Sequence, residues 1–163
     1  MRKAPGIAVL AGCVLALLAA AAWAAPPRPT RPGAIVALYC RLDEAGARLA
    51  PKSAAARQIN ALVSWNFEPH WHEFVVIEGY RLEQPKNWGG TISIYVDYRV
   101  AGKIENGRWI VKQGSERQRF DVIDEGNEIF IYRPIQPPHI GRAAARALLR
   151  KFGRRADRRR PLA

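Results

Sequence analysis

The spacing of the apolar residues changes once along this chain, near Pro69, and that change decides the fold class. Before Pro69, apolar residues recur every three or four positions, which is typical of amphipathic helices. The first such stripe consists of Ile35, Leu38, Tyr39 and Leu42. We expect Ser53 to cap a second helix that ends at Pro69. Its apolar face would consist of Ile59, Leu62, Val63 and Phe67.

After Pro69 the apolar residues recur at every second position, which indicates β-strands. The clearest strand covers 91–100, where one face carries Ile92, Ile94, Val96, Tyr98 and Val100. The same pattern predicts further strands over 74–83, 108–112, 117–124 and 128–133. The three prolines of 134–138 are expected to end the sheet. The sequence therefore predicts an α+β fold, with N-terminal helices packed on a curved antiparallel sheet of four to five strands, followed by a C-terminal basic helix.

The first 24 residues have the layout of a signal peptide. Arg2 and Lys3 precede an uncharged, alanine-rich run, and Ala22-Trp23-Ala24 places small residues at a cleavage site. The sequence therefore predicts an exported protein, periplasmic or secreted. An N-terminal membrane anchor is the alternative, because the uncharged run is long enough to span a bilayer. A lipid on Cys13 is a further alternative.

The rest of the chain divides into three parts. Residues 25–32 are proline-rich and should form an extended tether, residues 33–138 should form one folded domain, and residues 139–163 should form a basic helix and a disordered arginine-rich tail. Cys40 is the only cysteine after the leader, which excludes an intrachain disulfide. Since it lies in the first helical stripe, we expect a buried, unreactive thiol.

Most of the net charge of +12 belongs to the end of the chain. Residues 142–160 carry nine basic side chains and one acidic one, whereas the remainder of the mature chain has 15 basic and 13 acidic residues. This division argues against a specific nucleic-acid-binding domain, which spreads positive charge over its folded surface. We expect the tail to contact anionic lipid headgroups or another envelope polyanion. The contact residues would be Arg142, Arg146, Arg150, Lys151, Arg154, Arg155, Arg158, Arg159 and Arg160, with Leu148 and Phe152 entering the interface.

The order of two helices and a strand meander resembles the nuclear transport factor 2-like superfamily, over residues 33–138. The residues that carry the resemblance are the opening helix at 34–42, the second helix, and the runs 92–100, 109–111, 120–123 and 129–132. The resemblance implies a cone-shaped sheet curled around a pocket, which members use for isomerisation or hydrolysis, for binding small apolar ligands, or only for dimerisation. No isomerase residue carries over, because Asp97 and Tyr95 fall on the polar face of their strand. We expect Asp97 to be solvated and paired with a nearby arginine.

Two groups of residues are candidates for a site. A pocket for a small apolar ligand could be lined by Trp65, Tyr80, Trp88, Tyr98, Trp109 and Tyr132, although packing in the core is the competing interpretation. A metal site could use His70 and His72, two apart on an extended segment, together with His139. Exposed loop histidines are the competing interpretation there. The sequence implies no cofactor.

These observations favour a non-enzymatic ligand-binding or protein-interaction module. The alternative is a small isomerase- or hydrolase-type enzyme with its site in the concave face of the sheet. A homodimer formed through the exposed sheet face is a third possibility. A hydrophobic cavity in the concave face would favour binding, whereas a buried carboxylate beside a tyrosine or histidine would favour catalysis.

Overall fold

The computed structural model of the protein describes residues 28–158, apart from residues 89, 90 and 127. For Trp88 and residues 154–158 it describes the backbone alone. The predicted signal peptide and residues 159–163, which include Arg159 and Arg160, lie outside the described part. The fold is α+β, which confirms the predicted class.

Three helices and six strands make up the described chain. The helices are α1 (Pro32–Glu44), α2 (Ala54–Asn60) and α3 (Arg142–Arg158), with a short 3-10 turn at Ala47–Leu49. The strands are β1 (Glu73–Leu82), β2 (Lys86–Trp88), β3 (Thr91–Glu105), β4 (Arg108–Glu125), β5 (Glu128–Arg133) and β6 (His139–Gly141).

The sheet is curled and mixed, with the strand order β5-β4-β3-β1-β6, and β2 pairs with β3 beyond the end of β1. Two predictions about it were wrong. The segments 108–112 and 117–124 form one continuous strand, because β3 is long enough to pair with both. The sheet also resumes after the prolines of 134–138, since β6 adds to the free edge of β1 in the parallel direction.

The start of β1 is covered on both faces. Val75, Val76 and Ile77 are all buried although successive side chains of a strand point to opposite faces. Val75 and Ile77 belong to the inner core, beneath α1, whereas Val76 belongs to a second core beneath α3. Helices therefore cover both faces of the sheet at this point, whereas the sequence pattern predicted helices on one face only.

The inner core holds the apolar face of β3 against α1 and α2. Ile94, Val96 and Tyr98 are each at most 1% exposed, so the predicted alternation of β3 is confirmed. Beyond Val100 the register shifts by a β-bulge, and Ile104 then packs in the second core with Val76. One long strand thus contributes to both cores.

The second helix is shorter than predicted. Ser53 Oγ accepts a hydrogen bond from the backbone N–H of Ala56 at 3.0 Å, which confirms the cap. The helix ends at Asn60 because the following backbone bonds to Ile131 of β5 instead, through Leu62 and Ser64. Phe67 is 57% exposed, so its predicted place on the apolar face was wrong.

The predicted tether is attached to the sheet at Arg28. Its guanidinium bonds to the Glu128 carboxylate and to the Ile129 carbonyl, both at 2.6 Å. It also lies 4.3 Å from the centre of the Phe130 ring. The chain before α1 therefore contacts β5 instead of extending freely from the domain.

Two glycines make room for large side chains on the outer side of the β3–β4 hairpin. A Cβ on Gly102 would lie 2.5 Å from the Ile110 carbonyl oxygen and 3.0 Å from Cζ2 of Trp109. Gly107 has a φ of 78° in the hairpin turn, and a Cβ there would lie 2.9 Å from Phe152 of α3. The hairpin and α3 can pack together because neither position carries a side chain.

We expect Gly102→Ala to lower the free energy of unfolding by about 1–3 kcal/mol, because the new methyl group must displace backbone and the Trp109 ring. Urea denaturation measures the change. Gly114→Ala on the same hairpin is the matched control, since no atom lies within 4 Å of the added Cβ. Equal stability of the two variants would contradict the close packing at Gly102.

Candidate functional site

The five predicted pocket aromatics whose side chains the structure describes do not meet around one cavity. Tyr98 is 1% exposed in the inner core, with Tyr80 beside it at 6.1 Å between ring centres. Trp109 and Tyr132 are 39% and 48% exposed at different places on the surface. Trp65 lines a separate surface hollow of about 290 Å³ at residues 60–68, and the Trp88 side chain lies outside the described part of the structure.

The predicted metal site does not form. His70 and His72 are exposed, whereas His139 is 1% exposed within β6. Its interior position separates it from the two surface histidines. Over residues 28–158 as described, no three histidine, cysteine, aspartate or glutamate side chains are grouped as metal ligands would be.

A buried polar cluster lies where α1, the 3-10 turn and β6 meet. Asp43, near the end of α1, is 1% exposed, and its Oδ2 accepts the backbone N–H of His139 at 2.9 Å. The Arg48 guanidinium lies 3.4 Å from the same oxygen and donates to the Gln136 carbonyl at 2.8 Å. Burial raises the pKa of Asp43 to about 6, although the nearby Arg48 charge opposes the change.

Arg48 joins this cluster to the surface. It donates to the Tyr39 hydroxyl at 3.1 Å and forms an ion pair with the Glu68 carboxylate, which also accepts from the Trp71 indole. The Arg48 side chain is 4% exposed. Its bonds therefore fasten the segment before β1 to the end of α1.

His139 connects the cluster to the inner core. Its ring stacks on Tyr98 with centres 4.2 Å apart, and Nδ1 lies 2.9 Å from the Pro137 carbonyl oxygen. Nε2 faces Glu116 of β4 at 3.5 Å, and this imidazole lowers the pKa of the Glu116 carboxyl to about 2. The Tyr98 hydroxyl lies 3.3 Å from Cys40 Sγ. Cys40 is 2% exposed and burial raises its pKa to about 12, which confirms the expected inert thiol.

The cluster contains residue types that are found in catalytic sites, but a substrate could not reach them. A buried aspartate lies near a histidine and two tyrosines, the arrangement that would favour catalysis. Asp43, Tyr98, His139 and Tyr39 are however each 1% exposed, so a substrate has no route to them in this structure. The contacts instead join α1, β3, β4 and β6, which is a structural role.

Helix α3 presents a basic surface. Its apolar side faces the sheet, where Ala145 and Leu148 are 2% and 9% exposed and Phe152 packs against the second core. The predicted entry of Leu148 and Phe152 into a membrane interface was therefore wrong for the docked helix.

The exposed side of α3 is basic. It carries Arg146, Arg150 and Lys151, and Arg142 lies 2.5 Å from Glu78 of β1. The helix continues to Arg158, so part of the segment expected to form a disordered tail is helical.

The outer sheet face, which we define as the side of the sheet opposite α1 beyond the reach of α3, carries seven basic and five acidic side chains. They are Arg28, Arg81, Lys86, Arg99, Arg117, Arg119 and Arg133, with Glu83, Asp97, Asp121, Glu125 and Glu128. Arg117 lies 2.6 Å from Glu83 and 3.8 Å from Asp97, which confirms the expected pairing of Asp97. Arg117 and Lys86 lie over the Tyr95 ring. This face therefore has excess positive charge that the sequence pattern did not reveal.

An apolar groove of about 210 Å³ lies between α3 and the β3–β4 hairpin. We call it the α3 groove, and its lining consists of Trp109, Arg142, Ala145, Arg146 and Leu149. The Trp109 ring reaches this position over Gly102. Sequence reasoning had placed Trp109 in a different pocket, because a β-bulge that changes the face of a strand has no clear signal in the sequence.

Comparison with known proteins adds no relative: no family model, no curated protein and no solved structure matches this chain. Within the described residues, no helix is both long and apolar enough to cross a membrane.

The Asp43→Asn variant isolates the pH dependence that this cluster contributes. The pKa of Asp43 is about 6 in the folded protein and about 3.8 in the unfolded chain, so the folded state holds the proton more tightly between these values. The contribution of Asp43 to stability is therefore greatest below about pH 4 and is lost as the pH rises through about 6. Between these limits we expect the free energy of unfolding of the wild type to fall by about 2–3 kcal/mol relative to the variant, measured by urea denaturation.

Asp97→Asn serves as the control, because it removes a carboxylate that is 41% exposed on the outer sheet face. Parallel pH profiles for the wild type and Asp43→Asn would contradict the burial of an ionisable Asp43.

Proposed function

We propose that this chain is an exported, non-enzymatic binding module that contacts an anionic membrane surface through its basic side, which we define as α3 together with the outer sheet face. One observation carries the proposal: α3 is docked by its apolar residues, and Arg146, Arg150 and Lys151 are exposed on it. These charges are therefore held in place by a folded domain, whereas a disordered tail would leave them free to move. Export rests on the predicted leader.

The charge of the outer sheet face supports a membrane partner. Its seven basic and five acidic side chains lie on the side of the sheet that α3 also occupies. Basic residues near an anionic leaflet contribute about 1 kcal/mol each. Since Leu148 and Phe152 are used in packing, the expected contact is with headgroups, and it should be reversible and sensitive to salt.

The interior gives less support to the enzyme alternative. The concave face contains packed side chains, and the one cluster with catalytic residue types is sealed. The helix-covered curled sheet is compatible with the proposed resemblance to the nuclear transport factor 2-like superfamily. We expect a member of this kind to use its surface, because packed side chains fill the interior of the curled sheet.

Vesicle sedimentation tests the proposal. The protein should bind vesicles of phosphatidylglycerol and phosphatidylcholine at low salt, and should dissociate at about 1 M salt, where charges are screened within about 3 Å. Changing Arg146, Arg150 and Lys151 together to Gln should weaken partitioning on the order of a hundredfold. These substitutions are preferable to deletion of residues 142–163, which would uncover the second core.

The matched control changes three exposed basic residues on the opposite side, Arg41, Lys52 and Arg57, to Gln. It alters the net charge equally and should leave most of the binding intact. Equal loss in both variants would show that net charge alone drives association. Equal binding to pure phosphatidylcholine vesicles would overturn the proposal.

A further inference from the structure

We infer that the α3 groove binds a segment of the alkyl chain of an anionic lipid, with Arg146 contacting its headgroup. This inference rests on the proposed function and assigns one site within the basic side. The groove combines an apolar floor, formed by Trp109, Ala145 and Leu149, with two guanidinium groups at its rim. Such a combination is complementary to a ligand with an apolar body and a negative end.

The groove is apolar because of how its walls are built. Trp109 is 39% exposed although it packs over Gly102, so one side of its ring faces solvent. The opposite wall is α3, where Ala145 is 2% exposed and Leu149 packs against the second core. Ala145 has a small side chain, and this leaves space between the helix and the indole. An exposed aromatic ring beside an unfilled space is costly in water and is stabilised when an apolar group covers it.

The charges at the rim of the α3 groove favour a ligand with a negatively charged headgroup. Arg142 lies 2.5 Å from Glu78, which partly neutralises it. Arg146 has no carboxylate within 4.0 Å among the residues that the structure describes, and it is exposed at the groove. A guanidinium in this position can donate two parallel hydrogen bonds to a phosphate. Arg146 is therefore the specificity-determining residue that we assign.

The size of the groove limits the occupant. Its volume of about 210 Å³ is below the roughly 300–1,000 Å³ of pockets that enclose drug-sized ligands. A short alkyl segment fits such a space, whereas a fused-ring ligand does not. The groove opens on the side of the sheet occupied by α3, so a lipid held there would remain in the membrane surface that the basic residues contact.

Dodecyl phosphate below its micellar concentration tests the inference on the folded protein, with affinity measured for every variant by isothermal titration calorimetry and the Trp109 indole N–H signal followed by NMR in proteins that retain Trp109. We expect saturable binding that shifts this signal, and about tenfold weaker binding for Trp109→Ala and for Arg146→Gln. The matched controls are Val111→Ala, exposed on the same hairpin, and Arg41→Gln, an exposed arginine of α1 on the opposite side of the sheet and outside the groove. Both should bind within about twofold of the wild type. Arg146 is exposed, so its variant should fold even if Trp109→Ala does not.

Four results would overturn the inference. Equal binding of dodecyltrimethylammonium would exclude a role for Arg146, and equal binding of inorganic phosphate would exclude a role for the apolar floor. Shifts at the hollow of residues 60–68 in place of Trp109 would locate the site elsewhere. If vesicles bind but dodecyl phosphate does not, the groove fails and the proposed function stands. If dodecyl phosphate binds and vesicles do not, the membrane function fails and the groove stands.

Discussion

The packing of α3 against Val76, Ile104 and Ile140 is the interaction on which the surface of this protein depends. This packing buries the apolar side of a helix whose remaining surface is rich in arginine. An amphipathic helix free in solution would insert its apolar side into a membrane interface. Here that side is already buried, so the helix can offer its charges and the α3 groove but not its leucines. The same packing requires Gly107, where Phe152 lies against the turn of the hairpin.

On the other side of the sheet, the inner core buries residues of types that are found in active sites, so a substrate cannot reach them. Asp43, Arg48 and His139 would be a plausible beginning for an active site if they lined a cleft. They are instead held by one another and by the backbone of residues 136–139. Truncating one partner of such a buried charged group leaves the other charge uncompensated, which is costly. The cluster fixes β6 against α1 and so sets the surface on which α3 begins.

The sequence allowed the prediction of features that depend on neighbouring residues. The Ser53 cap, the alternation along β3 and the burial of Cys40 each follow from spacing within about ten residues, and each is confirmed. The pairing of Asp97 also followed, because it required only a basic residue on an adjacent strand. The α+β class needed no more than the change of period near Pro69.

Features that depend on distant residues could not be predicted. β6 has three residues and no periodicity, and it forms only because Val75 and Val76 leave an edge to pair with. The bulge after Val100 moves Trp109 to the face that α3 covers, which separates it from the other aromatics. The contact of Arg48 with Gln136 spans most of the domain. The candidate site therefore emerged from the tertiary structure, while its arginines were evident from the sequence.

Hydrogen–deuterium exchange along α3, with and without anionic vesicles, tests the central claim most directly. If the helix is docked and binds through its charges, the amides of 144–152 should be protected to the same degree as those of β1, in both conditions. Exchange at the rate of an unstructured peptide, or protection that disappears from β1 and Ile140 when vesicles are added, would mean that the helix leaves the sheet. The basic side would then not be the surface that the fold presents.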